Sequence, residues 1–235
     1  MFTEIKTWHI IDGKLKAVGS SLIKENRTEQ YNLETWIASN PSIIGPDIII
    51  IGSQAQTKSG LLDLLGIDKN GNLIIIELKR DRLPREALVQ AINYASDISH
   101  WDLDKISEIC VKYTGKNLEE VLNEQFPDKS LENLSINETQ RIILVGSSID
   151  SALERMINWL SDKYSVNINV ILLSYIKTQS GNELINRTSI ISEEAEQEKI
   201  KKIKIQIPMS DEPGNYDDEK LRKLLKNICR KVCIQ

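Results

Sequence analysis

Two apolar runs, residues 61–68 and 73–80, are separated by a short polar turn and restrict the possible folds more than any other part of the sequence. The turn contains Asn70-Gly71, a dipeptide typical of tight connections between antiparallel strands. Both runs are rich in Leu and Ile, which favours strands buried in a sheet. Each run nevertheless carries an acidic residue, Asp63 in the first and Glu77 in the second. The pattern therefore predicts a buried β-hairpin with carboxylates near one end.

The spacing of the charged residues predicts that they meet on one face of this hairpin. Glu77 and Lys79 are two residues apart, so their side chains point the same way on a strand. A symmetric turn centred on Asn70-Gly71 pairs residues whose numbers sum to 141, and the numbers of Asp63 and Glu77 sum to 140. We therefore expect Asp63 to lie within one residue of the position directly opposite Glu77.

Two facing carboxylates repel one another unless a cation lies between them. A hard divalent ion such as Mg²⁺ or Mn²⁺ binds carboxylates together with a carbonyl and waters, and Lys79 beside it could orient a water or stabilise charge on a phosphate. These groups are the ones that metal-assisted phosphodiester hydrolysis needs. Taken alone, however, the residues favour a simpler interpretation, in which Lys79 neutralises Glu77 in a structural ion pair and Asp63 is solvated.

The rest of the chain predicts a mixed sheet with helices packed on it, an α/β or α+β core. A hairpin around Asp12-Gly13 is expected over residues 5–18, and a polar loop over 127–138. The other expected strands cover 48–51, 141–145, 166–175 and 183–191. The expected helices cover 28–39, a segment that begins at Pro84, 103–126 with a break at Gly115, and 151–162.

Composition excludes several classes of protein. Apolar residues make up 40% and charged residues 27% of the chain, as in ordinary soluble globular proteins. No apolar run approaches the 18 residues of a membrane span, and the N-terminus does not show the pattern of a secretory signal. The three cysteines, an odd number, favour a reducing cytoplasm, and two histidines are too few to favour a structural zinc site. We therefore expect a cytoplasmic protein with no membrane partner.

The charge is distributed unevenly along a chain of net charge −4. Residues 199–235 contain ten Lys and Arg against five Asp and Glu, and their pattern predicts an amphipathic helix with a basic face. A basic segment on an otherwise acidic chain suggests a polyanionic partner. A solvated helix face explains the same charges equally well.

The order Gly-x-x-Asp, a short turn and Glu-x-Lys is the signature of the PD-(D/E)xK nuclease superfamily. Five segments resemble, in the same order, the nuclease domain of NucS-type endonucleases and of the uncharacterised bacterial proteins that carry it. These segments are 33–37, 51–54, 60–68, 77–80 and 90–95. The resemblance covers residues 28–100; over 140–190 only the order of elements agrees. It implies a restriction-endonuclease-like α/β core, with a mixed central sheet flanked by helices, an N-terminal hairpin and a C-terminal basic helical extension.

The resemblance also implies roles for the site residues. Asp63 and Glu77 would bind the metal, assisted by the carbonyl of Leu78, and Lys79 would position or activate the attacking water. Glu34 would line the same site from the first helix.

A second group of residues would face the same site. Gln90 and Tyr94, one turn apart on a helix, would contact the substrate or the lysine, and Gln54 is a further candidate for a substrate contact. A nuclease also needs cations for phosphate, and three arginines at the end of the second strand suit this role: Arg80, Arg82 and Arg85.

The expected function is that of a metal-dependent (endo)deoxyribonuclease that uses Mg²⁺ or Mn²⁺, in DNA repair, restriction or phage defence. DNA is the expected partner, and a homodimer is left open. The alternative is a catalytically inactive nucleic-acid-binding or scaffold module on the same fold, although the intact set of Asp63, Glu77 and Lys79 argues against a decayed site. We expect a nuclease-like domain over residues 1–195 and a basic extension over 196–235.

Overall fold

The structure, a computed structural model, describes residues 7–18, 21–128, 134–178 and 180–192. All of them belong to the first of two units into which the chain divides, residues 1–200. The extension expected over 196–235 lies outside the described residues, so its boundary and its helix stay predictions.

The N-terminal hairpin pairs β1 (Thr7–Ile11) with β2 (Lys14–Val18) in a separate two-stranded sheet. Its turn residues Asp12 and Gly13 have positive φ angles of 49° and 73°, as a two-residue turn that matches the twist of the strands requires. The predicted hairpin is therefore confirmed.

The central sheet has six strands in the order β3-β4-β5-β6-β7-β8. Strands β3–β5 and the pair β7–β8 run antiparallel, whereas β5, β6 and β7 pair in parallel. The mixed sheet agrees with the expected fold class. Its strands are β3 (Ile48–Gln56), β4 (Leu61–Asp68), β5 (Leu73–Leu78), β6 (Gln140–Gly146), β7 (Ile168–Lys177) and β8 (Glu183–Ser189).

Five α-helices flank this sheet among the described residues. Short helical turns at Glu29–Leu33, of π type, and at Pro41–Ile43, of 3₁₀ type, lie before and after the first helix. The expected helix over 28–39 thus forms, but its first turn is a π turn. The helices are α1 (Glu34–Ser39), α2 (Arg85–Ile98), α3 (Leu103–Thr114), α4 (Leu118–Gln125) and α5 (Ser151–Tyr164).

The helix boundaries follow from local chemistry. Pro84 precedes the first turn of α2, and Asp102 and Asp150 cap α3 and α5 through their side chains. Gly115 ends α3 with a φ of 76°, which confirms the predicted break. Each boundary is therefore set by residues next to it in the chain.

The sheet is buried on both faces, as alternation along β5 shows. Leu73 and Ile75 pack into one core with α2, α3, α4 and α5, whereas Ile74, Ile76 and Leu78 pack into a second core with α1. By the same alternation, Glu77 lies on the face of Leu73 and Ile75, which α2 covers. Among the described residues, no helix combines the length and apolarity that crossing a membrane requires.

Candidate active site

The hairpin formed by β4 and β5 brings Asp63 and Glu77 close enough for the charge of Asp63 to raise the pKa of Glu77. Leu64 pairs with Ile76 and Leu65 with Ile75, so the numbers of paired residues sum to 140, and Asp63 and Glu77 are the next residues beyond the last pair. The expected sum, from a turn centred on Asn70-Gly71, was 141, which placed Asp63 within one residue of the position opposite Glu77. In the structure, the Asp68 carboxylate accepts hydrogen bonds from two backbone N–H groups of the turn, which centres the loop on Asn70 itself.

Glu77 carries the most perturbed carboxylate of the site. Its side chain is fully buried, and Oε1 accepts a hydrogen bond of 2.6 Å from Nζ of Lys79. Oε2 is also buried and, within the described part of the chain, has no hydrogen-bond partner. Burial and then the charge of Asp63 raise the pKa of Glu77 to about 7. The site therefore holds a carboxylate that needs either a proton or a cation near neutral pH.

Lys79 lies just past the end of β5 and is about a quarter exposed. Its backbone N–H donates to the Val145 carbonyl of β6 at 2.8 Å, which fixes its position beside the sheet. Burial by itself would lower the pKa of Lys79, but the hydrogen bond to Glu77 and the charges of Glu77 and Asp63 outweigh burial and raise it. The ammonium group is therefore protonated at neutral pH.

Asp63 is held from two sides. Its Oδ2 accepts from the backbone N–H of Leu78 at 2.9 Å, and its Oδ1 lies 3.4 Å from Nε2 of Gln54. The same Gln54 nitrogen donates to Oε2 of Glu34 at 3.0 Å, and the Ser53 hydroxyl donates to Oε1 of Glu34. The structure thus brings together six of the residues that the sequence analysis singled out, and their roles stay predictions: Glu34, Gln54, Asp63, Glu77, Leu78 and Lys79.

Gln90 and Tyr94 form a separate hydrogen-bonded chain on α2. Nε2 of Gln90 donates to the Tyr94 hydroxyl at 2.8 Å, and this hydroxyl donates to the Leu61 carbonyl at 2.7 Å. Leu61 is two residues before Asp63 on the same strand, so α2 is tied to the strand that carries Asp63. Their expected contact with substrate or with Lys79 stays a prediction.

The three arginines follow the end of β5. Arg80 is exposed. Arg82 and Arg85 approach the Asp150 carboxylate at 3.8 and 3.4 Å, and each side chain remains about 60% exposed. Because Asp150 also caps α5, the two arginines gather at one helix end. Their exposure leaves them able to contact phosphate, and this role stays a prediction.

Three neighbours of the site were missed from the sequence. The Ser53 hydroxyl donates a hydrogen bond to Glu34. The charge of Glu29 contributes to the raised pKa values of Glu77 and Lys79. The pKa of Tyr113 on α3 is raised mainly by burial and then by the charge of Glu34. Ser53 could have been found as the neighbour of Gln54. No local pattern marks Glu29 or Tyr113, because tertiary packing brings them to the site.

The protein ligands available to a cation are few. Across the described residues, no three His, Cys, Asp or Glu side chains form a cluster that could hold a metal ion. The candidate ligands for a cation are therefore the acidic pair Asp63 and Glu77, with Lys79 beside Glu77.

Comparison with known proteins places these residues in a family. Residues 29–151, just over half of the chain, match the family described as the endonuclease NucS C-terminal domain. The endonuclease NucS of Pyrococcus horikoshii is 31% identical over 75 residues, 32% of this chain and 30% of that protein. The endonuclease NucS of Aeropyrum pernix is 36% identical over 67 residues, 28% of this chain and 26% of that protein.

A repair endonuclease from Pyrococcus abyssi is a similar solved structure, with 20% identity and a TM-score of 0.38; the match covers 60% of this chain and 46% of that one. The chain spans less than a third of the length of the two curated relatives above. The family match extends over more than half of the chain and includes Glu34, Asp63, Glu77 and Lys79. The chain belongs to the NucS C-terminal domain family of endonucleases.

Proposed function

We propose that the chain is a nuclease that hydrolyses phosphodiester bonds of DNA with a divalent metal ion at Asp63 and Glu77. The observation that carries the proposal is the buried Glu77, whose Oε2 has no hydrogen-bond partner within the described residues and whose carboxylate is close enough to Asp63 to feel its charge. A buried carboxylate oxygen without a donor is costly, and a cation would satisfy it. Membership in a family of endonucleases supports the same chemistry.

The donor set suits a hard cation. Carboxylate oxygens, a backbone carbonyl such as that of Leu78 and waters are the ligands that Mg²⁺ and Mn²⁺ prefer. Two carboxylates are typical of sites that leave further positions to water and phosphate. When bound, the cation supplies positive charge that stabilises negative charge developing on the phosphate.

The residues of the chain divide the remaining tasks. Lys79 is protonated, so it acts as a hydrogen-bond donor and positive charge that orients the attacking water, rather than as a base. Glu34 and the pair Gln90–Tyr94 hold the surrounding backbone and side chains in place. Arg80, Arg82 and Arg85 bind the phosphates that flank the scissile one.

The biological setting is part of the same proposal. DNA is the substrate and partner, in repair, restriction or phage defence. Whether two copies of the chain form a homodimer is left open. We also propose a cytoplasmic location, because three cysteines, an odd number, are typical of a protein in a reducing compartment.

The alternative is an inactive nucleic-acid-binding or scaffold module. The 2.6 Å ion pair between Lys79 and Glu77 favours it, because this pair already compensates one of the two carboxylates. The two functions differ in their need for metal, since only the nuclease requires Mg²⁺ or Mn²⁺ at Asp63.

The test is a cleavage panel of linear, branched and single-stranded DNA, and RNA, with Mg²⁺ or Mn²⁺. Asp63→Ala, Glu77→Ala and Lys79→Ala should each lower the cleavage rate by several orders of magnitude, each factor of ten being about 1.4 kcal/mol of barrier. Lys69→Ala is the control, because Lys69 forms an exposed ion pair with Asp47 in the same hairpin region. A folded Glu77→Ala protein that cleaves as fast as the parent would refute the proposal.

A thermal melt separates the two functions without a substrate. A cation that binds only the folded state stabilises it by about 2.7 kcal/mol at a hundredfold excess over Kd. We expect Mn²⁺ to raise the Tm of the parent and to raise that of Asp63→Asn less. A parent without a metal response would favour the inactive module.

A further inference from the structure

We propose that Gln54 is a positioning residue for Asp63, whose orientation it sets through its side-chain amide, and not a group that contacts the substrate. The inference rests on the proposed nuclease function and deepens it. It replaces the substrate contact expected for Gln54 with a role inside the protein.

The contacts of the amide carry the inference. Nε2 of Gln54 lies 3.0 Å from Oε2 of Glu34 and 3.4 Å from Oδ1 of Asp63. An amide nitrogen has two protons, and both neighbours are acceptors, so the amide must turn its nitrogen toward them. A neutral donor between two carboxylates links them without adding charge to the site.

The far end of this link is anchored. The Glu34 side chain is buried, and each of its oxygens accepts a hydrogen bond, one from the Ser53 hydroxyl and one from Gln54. Leu33 and Ile37, on either side of it, are buried in the core between α1 and the sheet. Glu34 therefore fixes Gln54, and through it one oxygen of Asp63.

The backbone of β3 is shaped for this link. In a regular strand, consecutive side chains point to opposite faces. Here Ser53 and Gln54 donate to the same carboxylate, because Gln54 has a φ of 50° and the strand is irregular between Ile50 and Gly52. A positive φ is unfavourable for a residue with a Cβ, and such conformations concentrate at functional sites.

The result is an Asp63 held at both oxygens. Oδ2 accepts from the Leu78 N–H at 2.9 Å, and Oδ1 faces the Gln54 amide. Neighbours that orient a ligand in this way change metal affinity or activity by tenfold to a hundredfold when they are removed.

The decisive variant is Gln54→Asn. Asn keeps the amide and tolerates a positive φ, but it is one methylene shorter and cannot reach both carboxylates. We expect the Mn²⁺ concentration for half-maximal cleavage to rise on the order of tenfold, while the KM for DNA stays within about threefold. A raised KM with an unchanged metal requirement would mean that Gln54 contacts substrate, and would overturn the inference.

A matched control lies on the same strand. Gln56 is exposed and its amide donates to the Thr57 carbonyl, so Gln56→Asn should leave the metal requirement and the KM unchanged. If Gln54→Asn does not fold, Gln54→Met keeps the length without the donors. It should show the same rise in the Mn²⁺ requirement.

Two readouts are independent of cleavage. In calorimetric titration without DNA, Gln54→Asn should weaken Mn²⁺ binding about tenfold, and an unchanged Kd would overturn the inference. In the metal-free protein, the Tm shifts of Gln54→Asn and Asp63→Asn should not add in the double variant, because the two side chains share a hydrogen bond. Additive shifts would overturn the Gln54–Asp63 link, even in a protein without nuclease activity. Non-additive shifts in a parent protein that neither cleaves DNA nor responds to metal would refute only the proposed function.

Discussion

At the scale of single residues, the electrostatics of the site follow from the complete burial of the Glu77 side chain. Complete burial and the facing Asp63 disfavour the ionised carboxylate, and Lys79 compensates only one of its oxygens. The ionised Glu77 side chain therefore lowers the stability of the metal-free protein, and it is suited to bind a cation. A residue that costs stability in the absence of its ligand is common at functional sites.

The pH dependence of metal-free stability tests this environment of Glu77. Its pKa is about 7 in the folded protein and near 4.5 in the unfolded chain, so the folded state binds more protons between these values. The stability associated with Glu77 is present below about pH 4.5 and is lost as the pH rises through about 7, by roughly 3 kcal/mol. Urea denaturation from pH 4.5 to 8 measures it.

The control for this prediction is Glu77→Gln, whose amide has no proton to lose over this pH range and so stays neutral. Its free energy of unfolding should fall less than that of the parent over the same pH range. Parallel pH profiles for the two proteins would contradict the raised pKa.

At the scale of elements, the end of β5 is held against the end of β6. The Lys79 N–H donates to Val145, the Ser147 N–H donates to the Asp81 carbonyl, and the Leu83 N–H donates to Ser148. The chain after β5 therefore continues alongside β6 before α2 begins. This contact sets the direction in which Lys79 and the three arginines leave the sheet.

Gly146→Ala tests the fit between these two strand ends. A Cβ at position 146 would lie 2.6 Å from Cγ of Leu83 and 3.0 Å from the Asp81 carbonyl oxygen, so one of the segments must shift. We expect a loss of about 1–3 kcal/mol in the free energy of unfolding. Ser148→Ala, an exposed neighbour, should cost less than about 0.5 kcal/mol. Equal stabilities of the two variants in urea would show that the strand ends are not in close contact.

At the scale of the whole molecule, distant parts of the chain together hold α1 in place. Arg27 forms an ion pair of 2.6 Å with Glu183 of β8, and its guanidinium lies 6.0 Å from the centroid of the Trp36 ring. Trp36 in turn stacks on Tyr175 of β7. The position of Glu34 in the site thus depends on contacts with strands about 140 residues later in the chain.

The basic segment over 199–235 lies outside the described residues, and its role stays a prediction from charge. Each phosphate that a protein neutralises on duplex DNA adds about 0.9 to the slope of log affinity against log salt. Deletion of residues 209–235 should flatten that slope by roughly two to four, with kcat at saturating DNA within a few-fold of the parent. A folded truncated protein with an unchanged slope would refute the DNA contact.

The β4–β5 hairpin, most of the strands and helices around it, and the contact between Glu77 and Lys79 could all be predicted from the sequence. Short-range physics suffices for these features, since alternation of apolar residues defines a strand face and Gly, Pro and capping residues define its ends. The resemblance to a nuclease family depended on the same local patterns.

The interactions among these residues depend on packing between distant segments, which the sequence does not reveal. The expectation located the hairpin register only to within one residue, and the hydrogen bonds of the Asp68 side chain to the turn centre the loop on Asn70. The raised pKa of Glu77 depends on its burial, and the link through Gln54 depends on the packing of α1 against β3. Burial, desolvation and contacts between α1, β3 and β4 come from segments far apart in the chain, and no local pattern contains that information.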